Sequence, residues 1–248
     1  YYIRFWSGLI MALGFALVGF LDDYIKVVKK RNLGLTVTQK TLVQFLIIIA
    51  YLMSMRFSGE QSMFIPFVGN VPMGWFYWIF GICVIYGAIN AVNFTDGIDG
   101  LCSSVTVTAA ISFIVIAFMR KNMGAGLLSS ALLGGCAGFL VWNRNPAKVF
   151  MGDTGSMFLG GMVVAISYTL ECPLILLFTG IVYVIEAMSD IIQIGYFKLT
   201  HGKRIFKMAP IHHHFEMSGW NEKKIVAVFS FVNAIGGLAG ILLMHYGK

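Results

Sequence analysis

Residues 75–119 read WFYWIFGICVIYGAINAV (Trp75–Val92), NFTDGIDG (Asn93–Gly100) and LCSSVTVTAAISFIVIAFM (Leu101–Met119). Two apolar runs, each long enough to cross a hydrocarbon core of about 30 Å, meet at a turn that carries two acids, an amide and two glycines. An ionised side chain so close to hydrocarbon costs roughly 2.5 to 3.5 kcal/mol on insertion scales unless it has a partner. A featureless polar turn would have been cheaper. If the stretch from Asn90 to Leu101 is helical, Asn93, Asp96 and Asp99 (or Gly100) fall near one face, because residues three or four apart are neighbours. Such a face can hold a hard cation or the polar edges of a ligand.

The remainder of the chain says what surrounds that turn. Of 248 residues, 58% are hydrophobic and 12% charged, with a mean hydropathy of +0.81, against about 25% charged in soluble proteins. The fold class is therefore all-α, a polytopic transmembrane helical bundle, and soluble classes are excluded. Eight spans are expected: Ile3 to Leu21, Thr41 to Met55, Trp75 to Val92, Leu101 to Met119, Ala125 to Trp142, Ser156 to Leu170, Pro173 to Phe197 and Lys224 to Met244. Between the second and third, S-G-E-Q-S-M-F-I-P-F-V-G-N-V-P-M-G places a Gly-Asn pair between short apolar arms, the pattern of a short extramembrane β-hairpin. No cleavable signal or transit peptide is recognisable, and the first residue is Tyr1, so the chain is expected to begin inside a longer protein. Cys83, Cys102, Cys136 and Cys172 lie singly in or beside apolar runs and read as small core residues.

Lysine and arginine set the orientation. Alternating connections put Asp22 to Lys40, Asn93 to Gly100, Asn143 to Thr154 and Lys198 to Lys223 on one side, and with Lys224 these hold 13 of the 18 basic residues. That side is expected to be cytoplasmic. The hairpin and both ends of the chain then face outward. Most acids share the basic side, which a merely solvated surface does not require.

Three of those connections carry further candidate chemistry. The first, F-L-D-D-Y-I-K, ends an apolar helix with Asp22 and Asp23, against the helix macrodipole; Lys26, one turn on, can pair with either. The plain alternative is an interfacial anchor whose basic tail, Lys29, Lys30 and Arg31, touches anionic lipid. The functional one is a carboxylate pair that binds a metal ion or takes a proton beside a phosphate, with Lys26 or Lys40 as phosphate partner. In the third, Gly152 and Gly155 flank Asp153 and Thr154, which either caps a helix or opens backbone amides toward a ligand. The last connection contains H-H-H-F-E (212–216). Three adjacent histidines cannot all reach one metal ion from a regular helix, so a phosphate-binding or proton-shuttling loop after Pro210 is the better expectation. Upstream, Glu186, Asp190 and Gln193 form one helical stripe that should face protein or a wet cleft.

Together, D-D-Y-I-K, N-x-x-N-x-T-D-G-x-D-G-L, N-P-A-x-V-F-M-G-D-T-G-S and A-P-I-H-H-H-F-E resemble the motifs of the polyprenyl-phosphate N-acetylhexosamine-1-phosphate transferases, in the family's order. The H-H-H-F-E motif is similar to that of the branch acting on UDP-MurNAc-pentapeptide. The family has about ten membrane helices, so residues 1–248 resemble a single integral membrane transferase domain lacking its N-terminal pair. The resemblance implies transfer of phospho-MurNAc-pentapeptide from UDP-MurNAc-pentapeptide to undecaprenyl phosphate, giving lipid I and UMP, with Mg²⁺ as cofactor, at the inner face of the bacterial cytoplasmic membrane. Membrane lipid and a homodimeric second copy are compatible partners, and no nucleic acid is expected.

By the same resemblance, Asp153 is the metal ligand, and Asp22 and Asp23 accept the proton or position the lipid phosphate, with Lys26 and Lys40 near phosphate oxygens. Asn93, Asp96, Gly97, Asp99, Asn143 and Phe150 line the uridine and diphosphate pocket. His212, a catalytic residue by that resemblance, and His213 and His214 contact the diphosphate-sugar end, with Gln193 nearby. A sister transferase using another UDP-sugar would keep the aspartates and differ in the histidine loop. A transporter or lipid-binding protein would share the intramembrane acids but release no UMP and need no Mg²⁺.

Overall fold

A computed structural model of the chain describes residues 2–30, 33–59 and 62–247, with Arg31 of the basic tail, Glu60 and Gln61 before the hairpin, Tyr1 and Lys248 lying outside the described residues. Among the described residues ten α-helices follow one another: α1 (Tyr2–Val28), α2 (Val37–Phe57), α3 (Phe76–Thr95), α4 (Leu101–Met119), α5 (Met123–Asn143), α6 (Gly152–Thr169), α7 (Leu176–Thr179), α8 (Ile181–Leu199), α9 (Ile211–Glu216) and α10 (Glu222–Tyr246). Among the described residues six are long and apolar enough to cross a membrane, or seven if the segment from Pro173 through α8 is one broken span. The chain is thus a multi-pass helical bundle.

The expected spans need three adjustments. α1 and α2 run well past Leu21 and Thr41, so Asp22, Asp23 and Lys26 belong to the last turns of α1 rather than to a loop after it. Thr36 and Gln39 form a capping box that starts α2 early, satisfying backbone donors that would otherwise be orphaned. The span expected from Pro173 to Phe197 is not continuous: a 3-10 turn at Pro173–Ile175 and α7 are bent by 87° from α8. The break at Gly180 leaves backbone groups without helical partners, and the buried side chain of Asn233 on α10 takes them up. Its Oδ1 accepts from Val182 N at 3.3 Å and its Nδ2 donates to Thr179 O at 3.0 Å. Finally, the segment expected to span at Ser156 to Leu170 is the interior of α6. From Ser156 onward all its residues are buried except the half-buried Phe158, and α1, α3, α4 and α5 pack around it.

The hairpin forms, with β1 (Ser62–Ile65) antiparallel to β2 (Gly69–Pro72) in the register Ser62↔Pro72 and Ile65↔Gly69. The Gly-Asn pair opens β2 instead of making the turn, which falls to Pro66, Phe67 and Val68, with Phe67 at φ +66°. Of the cysteines, Cys102, Cys136 and Cys172 are buried as expected; Cys83 is exposed on α3.

Among the described residues α1 and α6 make the most extensive helix contact, and small residues allow it. A Cβ at Gly161 would sit 2.7 Å from the Ala12 Cα, and one at Gly19 would collide with the Asp153 carbonyl. In a membrane, where apolar burial gives little drive, such backbone approach is what makes helix packing favourable. It also fixes the height of Asp153 against Asp22 and Asp23. Gly161→Ala should therefore cost about 1 to 3 kcal/mol through overpacking and lower Tm in detergent. Gly138→Ala on α5, where a Cβ meets nothing within 4 Å, should instead raise stability by up to about 1 kcal/mol through helix propensity. Equal shifts for the two variants would refute the close seam.

Candidate functional site

Four helix ends converge at the end of the bundle opposite the hairpin. α1 supplies Asp22, Asp23 and Lys26, the first turn of α2 supplies Lys40, the last turn of α3 supplies Asn93, and the first turn of α6 supplies Asp153. Carboxylate oxygens of Asp22, Asp23 and Asp153 all lie within 4.8 Å of one another. The ammonium of Lys26 reaches each of them, at 2.6 Å (Asp22 Oδ2), 3.5 Å (Asp23 Oδ1) and 3.3 Å (Asp153 Oδ2). Lys40 Nζ approaches the same Asp153 Oδ2 at 2.9 Å, and Asn93 Nδ2 donates to Asp153 Oδ1 at 3.0 Å. Burial works against ionisation of Asp153, but the Asn93 amide and the Lys40 ammonium outweigh it and hold this carboxyl well below the usual range.

Each acid is also tied to backbone. Asp22, which is buried, accepts from Leu35 N at 2.8 Å and so fastens the α1–α2 connection. Asp23 Oδ2 accepts from both the backbone N and the hydroxyl of Thr154 at 3.0 Å. The acid that caps α6 is therefore Asp23 from another helix. The Asp153 oxygens accept instead from the Asn93 amide and from Lys40 and Lys26, side chains of other helices, which speaks against the helix-cap alternative for it.

The turn from Asp96 to Gly100 departs from the expected single face. α3 stops at Thr95, and Gly100 at φ +76° redirects the chain into α4, so Asp96 and Asp99 part company. Asp96 stays beside the cluster, where burial and then the charges of Asp153 and Asp23 push its carboxyl up to about 7. Asp99 turns away: its Oδ2 accepts from Ala147 N at 2.8 Å and from Asn145 Nδ2 at 3.4 Å, while its own N donates to Glu222 Oε2 at 3.3 Å. Asn143 is buried and donates to Val149 O at 3.0 Å, holding the same loop. Phe150 stands at 76% exposure on that loop.

The histidine motif forms α9, a short helix after Pro210, and its three side chains diverge instead of turning inward together. His212 is fully buried, with Nδ1 3.0 Å from Glu186 Oε2 on α8. Its Nε2 has no hydrogen-bond partner among the described residues and abuts Gly97, where any Cβ would collide with it. His213 pairs with Glu216 at 2.9 Å, and His214 Nδ1 accepts from Lys207 N at 3.1 Å. Gln193 is spent on the neighbouring loop, accepting from Ile205 N and Phe206 N and donating to Phe206 O. Thr154 stood out in the sequence only as part of the glycine-flanked turn, and Asn233, which looks like an ordinary helix residue, was not singled out. Glu186 stood out only as part of a stripe.

This geometry defines a membrane-embedded bundle with one acid-and-lysine cluster at the mouth of its central helix, an arrangement suited to phosphate groups and a hard cation. The sequence pattern of glycosyl transferase family 4 matches residues 5–171, and the chain belongs to that family. A protein of Listeria monocytogenes named phospho-N-acetylmuramoyl-pentapeptide-transferase is 48% identical over 234 residues, covering 94% of this chain and 72% of the relative. Proteins of the same name from Acetivibrio thermocellus (45% over 239 residues, 95% and 72%) and Staphylococcus carnosus (46% over 238 residues, 94% and 74%) are similar to it to the same degree.

The raised carboxyl of Asp96 gives a stability test. The folded chain keeps a proton on Asp96 up to about pH 7 that the unfolded chain, with the ordinary value of 3.8, has already lost. Stability therefore falls as pH rises across that window and levels off above it. In buffer free of divalent ions, the gain in Tm from Asp96→Asn should be larger at pH 8 than at pH 5. A gain that shrinks with pH would show that Asp96 is not held in this repulsive environment.

Proposed function

We propose that the chain transfers phospho-MurNAc-pentapeptide from UDP-MurNAc-pentapeptide to undecaprenyl phosphate, yielding lipid I and UMP, at the cytoplasmic face of the bacterial inner membrane. The observation that carries this is the convergence of Asp22, Asp23 and Asp153 with Lys26 and Lys40 at one helix mouth, in a chain whose relatives carry that transferase name. Two phosphate groups of like charge must approach, and the cluster supplies both cations and carboxylates for them.

Three carboxylates within 4.8 Å offer only hard oxygen donors, which fits Mg²⁺, an ion that binds through one or two carboxylates and shares substrate phosphates. Asp153 is the ligand in this reading. Held there, Mg²⁺ would supply positive charge to offset that of the diphosphate. Lys26 and Lys40 turn from the acids to phosphate oxygens. Asp23, the more open of the α1 acids at 31% against 5% side-chain exposure, takes a proton from the lipid phosphate or positions it. That phosphate's oxygen then attacks the sugar-linked phosphorus, a new phosphoanhydride forms, and UMP leaves with the electron pair of the old one. Phe150 offers an exposed ring on which uracil can stack, while Asp96 and Gly97 border the diphosphate. His212, locked by Glu186, sets the turn beneath it, and His213 and His214 face the sugar side.

The test is release of UMP by purified protein from UDP-MurNAc-pentapeptide and undecaprenyl phosphate, with and without Mg²⁺. Activity should require Mg²⁺ and vanish when UDP-N-acetylglucosamine replaces the donor. Asp153→Asn should fold but lose UMP release by orders of magnitude and lose stabilisation by Mg²⁺, because the amide keeps the size and not the charge. Asp22→Asn should keep nucleotide binding. Full activity in folded Asp153→Asn would overturn the metal assignment.

A further inference from the structure

Outside the acid cluster, at the same end of the bundle, a second cavity of about 560 Å³ lies between the start of α4, the end of α5 and the start of α10. We propose that it binds the phosphate head group of an anionic phospholipid from the surrounding membrane. Three cations line it, Arg144, Lys148 and Lys223. Among the described residues none of the three forms an ion pair. Two acids adjoin these three cations, Asp99 in the lining and Glu222 next to Lys223, and both are hydrogen-bonded to neutral groups of the same loop and turn. Asp99 accepts from Ala147 N and Asn145 Nδ2, and Glu222 Oε2 accepts from Asn145 Nδ2 at 3.0 Å and from Asp99 N. The cavity is left with an excess of positive charge.

The position of Lys223 adds a second reason. It lies in the first turn of α10, a 25-residue helix, where the positive end of the macrodipole disfavours a cation and favours an anion. A phosphate there offsets the three side chains and the helix end at once.

The walls choose a lipid over a soluble anion. Val141 and Trp142, at 62% and 54% exposure, are the outward-facing last turn of spanning helix α5, and Val226 and Ala227 belong to spanning α10. One wall of the cavity is thus formed by apolar residues of two spanning helices, and it carries a tryptophan where interfacial aromatics concentrate. Lys148 rests over the Trp142 ring, 5.6 Å from its centroid. Basic pockets between spanning helices are a recurrent form of head-group site. Because the loop from Arg144 to Lys148 is bonded to Asp99, lipid held here also braces the turn that carries Asp96.

The experiment reads lipid retention, independently of transfer activity. The full chain is placed in nanodiscs of phosphatidylcholine with and without phosphatidylglycerol, and retained lipid is counted by native mass spectrometry. Wild type should keep phosphatidylglycerol in preference to phosphatidylcholine. Each basic residue near an anionic head group is worth roughly a factor of five, so Arg144→Gln/Lys148→Gln/Lys223→Gln should weaken retention on the order of 100-fold. Lys223→Glu alone should abolish the preference while keeping α10 intact, since an acid suits its first turn. Lys198→Gln/Lys203→Gln/Arg204→Gln, which removes the same charge elsewhere at this end, should retain the lipid. Retention in the cavity variants, equal loss in the control, or displacement by millimolar inorganic phosphate or UMP would each overturn the assignment.

Discussion

Three carboxylates within 4.8 Å repel one another by roughly 3 kcal/mol per pair at an effective dielectric near 20, and the cytoplasm-facing chemistry proposed for this bundle depends on how that repulsion is offset. Lys26 bridges all three, Lys40 and Asn93 hold Asp153, and the α6 amide at Thr154 holds Asp23. The offset is incomplete, with two lysines against three acids. That remainder is the attraction a divalent cation would answer, and Asp96 registers it as a carboxyl reluctant to ionise.

Helix packing is subordinate to this constraint. The α1–α6 seam exists so that two acids on one helix and a third on another meet at one height, and glycine is needed wherever backbone faces backbone. The lock between Glu186 and His212 does the equivalent for the α9 motif, pressing an imidazole onto Gly97 so that the turn below has one shape. A buried carboxylate and imidazole with one unsatisfied atom each are expensive in a membrane protein, which argues that the positional precision they supply matters.

Much of this was legible in the sequence. Apolar run lengths marked the helices, and acids at the run ends marked Asp22, Asp23 and Asp153, which gather. What periodicity could not supply was direction. Asp96 and Asp99 look equivalent in T-D-G-I-D-G, yet one faces the acid cluster and the other an opposite loop, because α3 ends at Thr95 and the helical face that would have joined them is lost. Consecutive histidines likewise looked interchangeable until a short helix spread them around its axis. Hydropathy also counted α6 and the segment after Pro173 as ordinary spans. An enclosed helix and a broken one have the same composition as lipid-facing ones, and only tertiary partners such as Asn233 tell them apart.

The enclosure of α6 has a mechanical result. Bilayers differ in thickness, and a spanning helix meets a mismatch by tilting or by stretching the lipid around it. α6, surrounded by α1, α3, α4 and α5, touches almost none of that lipid, so thickness acts on the outer ring while the central helix is insulated from it. Asp153 rides on α6 and takes its depth from protein contacts, which lets the same cluster meet its partners at a constant level in membranes of differing composition.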